Sequence, residues 1–209
     1  MNPHTNSRAD RIARIETELW EAYYNRQWLR EFRLLIAMHR EFFGMGGLTA
    51  VAASYDAARA AIAFAPVEGN DIPKVRRFLL RYYEKVRRAL NCEASADDLA
   101  ERELDYWVVH RHVASRRLTE INAGRPVDDP PPDEIEPVVE AFARLHAGLF
   151  NSTDEVMRES AVHRARATAV VDRISGRYSP DVPGDWLRVE ELLRLAYRAI
   201  EEAVEEPVV

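Results

Sequence analysis

Apolar residues recur along the chain at three- and four-residue intervals, and no stretch of strict alternation marks a strand. The pattern predicts seven helices. The first spans about Ala9 to Phe43 and stops at Gly44, with Gly46 and Gly47 making the turn. An Ala-rich second helix runs from about Leu48 to Ala65 and is ended by Pro66. Asn70, Asp71 and Pro73 signal the start of a third, reaching about Leu90, and Ser95 can cap a fourth from about Ala96 to Ile121. The Pro-rich segment 123–133 is the clearest linker. A fifth helix follows to about Phe150, and a sixth runs from caps at Ser152 or Thr153 to about Ile174. After a breaker stretch over Ser175–Asp185, a seventh spans about Trp186 to Val204. The expected fold is all-α, a single bundle with four helices to about residue 122 and three from the linker to about residue 204.

Two helices depart from simple amphipathicity. In the first, Ile12, Ile15, Leu19 and Tyr23 share one face, while Trp28, Phe32, Leu35 and Phe43 lie almost opposite. The change of side near Tyr24, Asn25 and Arg26 calls for a bend, or for a second chain to cover one face, and a homodimer is expected. In the Ala-rich helix the only charges between Gly44 and Pro66 are Asp56 and Arg59, one turn apart. Small side chains let neighbours approach closely, so this helix is expected at the centre, with Asp56 and Arg59 as a buried structural pair.

Histidines sit where apolar residues are expected. Glu103 and His110, seven apart, fall on one face among Leu99, Tyr106, Trp107 and Ala114. His163 lies among Val156, Ala167, Val170 and Ile174, with Glu159 at the edge of that face. His39 joins Trp28, Phe32, Leu35 and Phe43, and His146 joins Ile135, Val138, Val139, Phe142 and Leu149. Should these groups converge, mixed imidazole and carboxylate donors suit Fe or Mn, and bundles commonly build such centres on facing helices. The candidate ligands are Glu103, His110, His163, His39 and Glu159, with Asp56, Arg59 and His146 around them. The Glu103-x6-His110 spacing resembles that on one helix of haem-oxygenase-like di-iron oxidases, although the rest of their carboxylate and His-x3-Asp pattern is not found here. The ferritin-like Glu-x-x-His is absent too.

Composition narrows the alternatives. Against 35 acidic residues stand 29 basic ones, of which only Lys74 and Lys85 are lysine, for a net charge of −6. That balance gives no basic footprint for nucleic acid. Arg76, Arg77, Arg81, Arg87 and Arg88, with Arg111, Arg116 and Arg117, read chiefly as solvated faces paired with acids, the alternative being an anion or phosphate site with Tyr82 and Tyr83 interleaved. Cys92 alone permits no internal disulfide. The polar N-terminus carries no apolar signal region and no segment suits a membrane span, so a cytoplasmic protein is expected. Phosphate-loop, dinucleotide, serine-hydrolase and zincin motifs are all missing. Two readings follow. One is a metal-binding bundle, a di-iron or manganese centre with oxidoreductase-like chemistry; the other is a non-enzymatic helical module for a small ligand or partner protein, its histidines structural.

Overall fold

A computed structural model describes residues 7–205, which form eight helices and no strand. They are α1 (Arg8–Tyr24), α2 (Trp28–Phe43), α3 (Gly47–Phe64), α4 (Ile72–Leu90), α5 (Ala96–Asn122), α6 (Pro132–Phe150), α7 (Asp154–Ser175) and α8 (Val182–Glu205). Residues 1–6 of the N-terminal stretch read above lie outside the described residues.

Local chemistry sets most of the ends. Ser7 and Asp10 form a reciprocal capping box on α1, and the side chains of Asp71, Ser95 and Thr153 cap α4, α5 and α7. Gly44, Asn91 and Asn151 take left-handed conformations that stop α2, α4 and α6. The last helix begins at Val182 rather than Trp186, because the Asp181 carboxylate accepts the Gly184 N–H at 3.1 Å. Pro183, in the first turn, has no N–H to satisfy there.

The long first helix expected from periodicity is two helices. The chain breaks over Asn25–Gln27, where Arg26 has φ 56°. Restarting at Trp28 rotates the helix, so the Ile12–Glu16 face of α1 and the Met38–His39 face of α2 both turn inward. Of the residues on the opposite face, Phe32, Leu35 and Phe43 become half-buried within this chain, while Trp28 stays exposed. The two helices lie antiparallel, with Arg8 donating to the carbonyls of Glu41 and Phe42, and Arg11 pairing with Glu41.

Each helix packs on the next in sequence, and α8 returns to pack on α1, closing a ring. The apolar core sits in the seams of that ring. One cluster joins α3 and α4 to α5 and α6, a second joins α1 to α7 and α8, and a third fills the seam of α5, α6 and α7. The linker is tied down: Arg117 of α5, 4% exposed, donates to Glu134 and to the carbonyl and carboxylate of Asp128, and Arg125 adds a second bridge to Glu134. No described helix is long and apolar enough to cross a membrane.

The Asp56–Arg59 pair does not form. Asp56 is 1% exposed and faces α4, where Lys85 donates to Oδ2 at 2.8 Å. Arg81 approaches Oδ1 at 3.2 Å, at an angle that makes no hydrogen bond. Arg59 instead reaches along its own helix to the Tyr55 hydroxyl and lies over the Phe78 ring. One turn apart on a helix is near in space, but the side Asp56 faces is met by Lys85 and Arg81 of α4.

Asp56→Asn is accordingly expected to cost about 1–3 kcal/mol, since it strips a buried partner from the Lys85 ammonium. Arg59→Ala should stay within about 1 kcal/mol. Urea unfolding of the two variants, followed by circular dichroism, checks the ranking.

Candidate functional site

The centre of the ring is not filled. A cavity of about 380 Å³ receives side chains from all eight helices. Its walls are mainly aromatic and aliphatic: Trp20, Phe42, Phe43, Trp107, Phe142 and Leu145 among them, with Ala57, Ala58 and Ala61 leaving room on the α3 side. Protein interiors ordinarily close-pack with few voids larger than a water molecule, so so large a space needs a reason.

Polar groups enter this apolar space in three sets. On the α1, α7 and α8 side, Arg164 donates to both oxygens of Glu16, 2.9 Å on one, and the Tyr197 hydroxyl also donates to Glu16. The guanidinium lies over the rings of Trp20 and Phe142. On α5, Glu103 accepts the Trp107 indole N–H at 2.6 Å and the Tyr83 hydroxyl at 2.8 Å. Burial pushes the Glu103 carboxyl above its usual range, with the Tyr83 and Trp107 hydrogen bonds opposing. Tyr82, Tyr83, Tyr106 and Tyr197 are raised by burial and stay neutral donors.

The third set is histidine. His39 Nδ1 lies 2.7 Å from the Leu35 carbonyl, which only accepts, so the proton is on Nδ1 and Nε2 receives the Tyr82 hydroxyl at 3.3 Å. His146 Nδ1 lies 3.1 Å from Ser160 Oγ, while its Nε2 has no hydrogen-bond partner among the described residues. Burial drops the His39 pKa to about 4 and the His146 pKa to about 3, the latter helped by Arg164. His110 behaves oppositely: burial lowers it, but Asp172, 2.9 Å away on α7, more than offsets this and leaves it raised. His110 stacks on Tyr106, whose hydroxyl has no hydrogen-bond partner among the described residues.

The cavity opens beside this pair. Tyr23 and Tyr24 of α1, Phe64 of α3 and Tyr106, Trp107 and His110 of α5 form an adjoining vestibule, with Asp172 at its base. Arg111 spans it, stacked on Phe64 at 3.7 Å and donating to the carbonyls of Phe64 and Pro66.

Of the residues singled out by sequence, Glu103, His110, His39 and His146 all face the cavity. His163 and Glu159 do not. His163 Nε2 lies 4.0 Å from an exposed Glu159 on the same helix, and its Nδ1 is buried without a partner. The line of α7 that reaches the cavity is Arg164, Thr168 and Val171, one position on. Asp56 and Arg59 lie outside it as well. Glu103 and His110 share a wall but spend their hydrogen bonds on different partners. Among the described residues no group of three or more His, Cys, Asp or Glu side chains could hold a metal ion.

Sequence reasoning missed Glu16, Arg164, Tyr197 and Asp172. Glu16 was detectable by the criterion used for Glu103, a carboxylate four residues after Ile12 on an apolar face. Arg164 was hidden by its neighbour His163.

The two kinds of histidine predict opposite pH effects. A depressed histidine stabilises above the unfolded pKa of 6.5 and loses that contribution as acid protonates the unfolded chain, down to about pH 3 for His146. His146→Gln should therefore unfold with a flatter dependence between pH 6.5 and 4 than wild type. A raised histidine stabilises below 6.5 and loses the contribution as pH climbs through its folded value. The stability margin of wild type over His110→Gln should thus shrink from pH 6 to pH 8.5 in denaturant titrations. Comparison with protein-family models, curated proteins and solved structures returns no match to this chain.

Proposed function

We propose that the protein binds a small, largely apolar organic molecule in the central cavity. The observation that carries this reading is the cavity itself: about 380 Å³ walled by aromatic and alanine side chains, with a few polar groups left over for a guest. Pockets for drug-sized molecules fall in this size range and combine apolar walls with a small number of placed polar groups. The unclaimed Tyr106 hydroxyl, the free Nε2 of His146 and the vestibule beside His110 fit such a guest. They supply orientation and an entry.

An Fe or Mn centre at Glu103 and His110 draws less support from the same residues. His110 Nε2 is held by Asp172, both ring nitrogens of His39 are hydrogen-bonded within the protein, and the remaining expected ligands His163 and Glu159 point elsewhere, so no set of ligands joins Glu103.

A neutral fluorescent probe, N-phenyl-1-naphthylamine, tests the reading. One molecule per chain should bind, with a Kd on the order of micromolar for a ligand of that size. Ala58→Trp, which projects a ring into the cavity from α3, should weaken binding at least about tenfold while keeping the helical spectrum. Ala61→Phe gives a second variant should the first misfold. Absent binding, or binding that neither substitution disturbs, would overturn the proposal.

A further inference from the structure

Charge is balanced at nearly every buried acid among the described residues. The four carboxylates with the least exposure are Glu16, Asp56, Glu134 and Asp185. Glu16 is held by Arg164, Asp56 by Lys85, Glu134 by Arg117 and Arg125, and Asp185 by Arg173. Asp172 has His110. Such pairing is the usual condition for holding charge away from water.

Glu103 breaks the pattern. It lies in the cavity wall, its half-buried side chain opening on the cavity, and only the neutral donors of Tyr83 and Trp107 reach it. No basic side chain among the described residues is within ion-pairing distance of it. Each carboxylate oxygen can accept a second hydrogen bond, so both retain capacity on the cavity side. Nor does the rest of the lining offer Glu103 an ion pair. The Arg164 guanidinium, whose charge favours the Glu103 carboxylate only from a distance, is committed to Glu16 and Tyr197, His110 is held by Asp172, and His39 and His146 are neutral at pH 7. Glu31 of α2 adds a second acid to the lining, with no ion pair among the described residues. Around Glu103 stand Trp107, Tyr82 and Tyr106, whose ring faces attract cations. An anionic guest would meet repulsion from Glu103 and Glu31; a cationic one would complete the balance.

We infer that the molecule bound in the cavity carries a protonated amine, seated against the Glu103 carboxylate between aromatic faces. This rests on the cavity being a ligand site and names the class of ligand. The apolar body would occupy the Phe42, Phe142 and Leu145 side, and the ammonium would donate to the free lone pairs of Glu103.

A matched pair of ligands separates charge from shape. Displacement of N-phenyl-1-naphthylamine at pH 7 is measured with 1-naphthylmethylamine, an ammonium at that pH, and with 1-naphthalenemethanol, its neutral counterpart. The wild-type protein should bind the ammonium about tenfold or more tightly than the alcohol. Glu103→Gln should reduce that ratio to about one while retaining the neutral probe, and Glu31→Gln should leave most of the ratio in place. A wild-type ratio below about two overturns the inference by itself, as does a preference that survives Glu103→Gln or vanishes in Glu31→Gln. Should Glu103→Gln fail to fold, the wild-type ratio and the Glu31→Gln variant still decide. Probe binding with no preference for the ammonium sinks the amine alone. Failure of the probe and of both naphthyl compounds to bind sinks the cavity reading and the amine with it.

Discussion

Arg164 holds Glu16 and Tyr197, and the closed ring depends on that contact. It joins α7 to a carboxylate 148 residues away on α1 and to a phenol on α8. A buried ion pair of this kind adds little net stability over a well-packed apolar substitute, because desolvation consumes most of the attraction. Its effect is on which arrangement is allowed. Any packing that parts α1 from α7 leaves a guanidinium or a carboxylate unpaired in an apolar interior, which is costly. The first and last helices are therefore brought together by a charge constraint laid over the apolar seam of α1, α7 and α8.

With the ring closed, eight helices cannot all reach its axis with side chains large enough to fill it. Alanines on α3 widen the gap further. The apolar core is thus displaced into the seams, and the middle becomes a site. Whatever polar group faces that middle is desolvated. Histidines respond by staying neutral unless an acid is in contact, as Asp172 is with His110, and tyrosines remain protonated. Glu103 is the cavity carboxylate that receives hydrogen bonds from neutral donors but no ion pair among the described residues.

Much of this was legible before any coordinates. Gly44, Asp71, Ser95 and Thr153 mark helix ends through interactions within a few residues of themselves, which a sequence displays directly. The face of α5 was legible too: Glu103 and His110 interrupt an apolar stripe, and both line the cavity. The reversal of the apolar face in the first expected helix announced something at Asn25–Gln27, and the structure resolves it as a break. Less legible was α7, where Arg164 and His163 are adjacent and differ by about 100° around the axis. Only the rotation of the helix against α1 and α8 chooses between them.

The sequence alone determined an all-helical chain, the approximate bounds of its helices, and the polar residues that sit on apolar faces. These follow from periodicity and capping, which act over one or two turns. Tertiary structure decided which of those residues meet. Asp56 found Lys85 on α4 instead of Arg59 on its own helix, His110 found Asp172 on α7, and Glu103 found hydrogen bonds from Tyr83 and Trp107 but no ion pair among the described residues. Such pairings depend on the rotation and contact of helices far apart in the chain. No local pattern encodes them, because each helix is free to satisfy its own backbone before it has a neighbour.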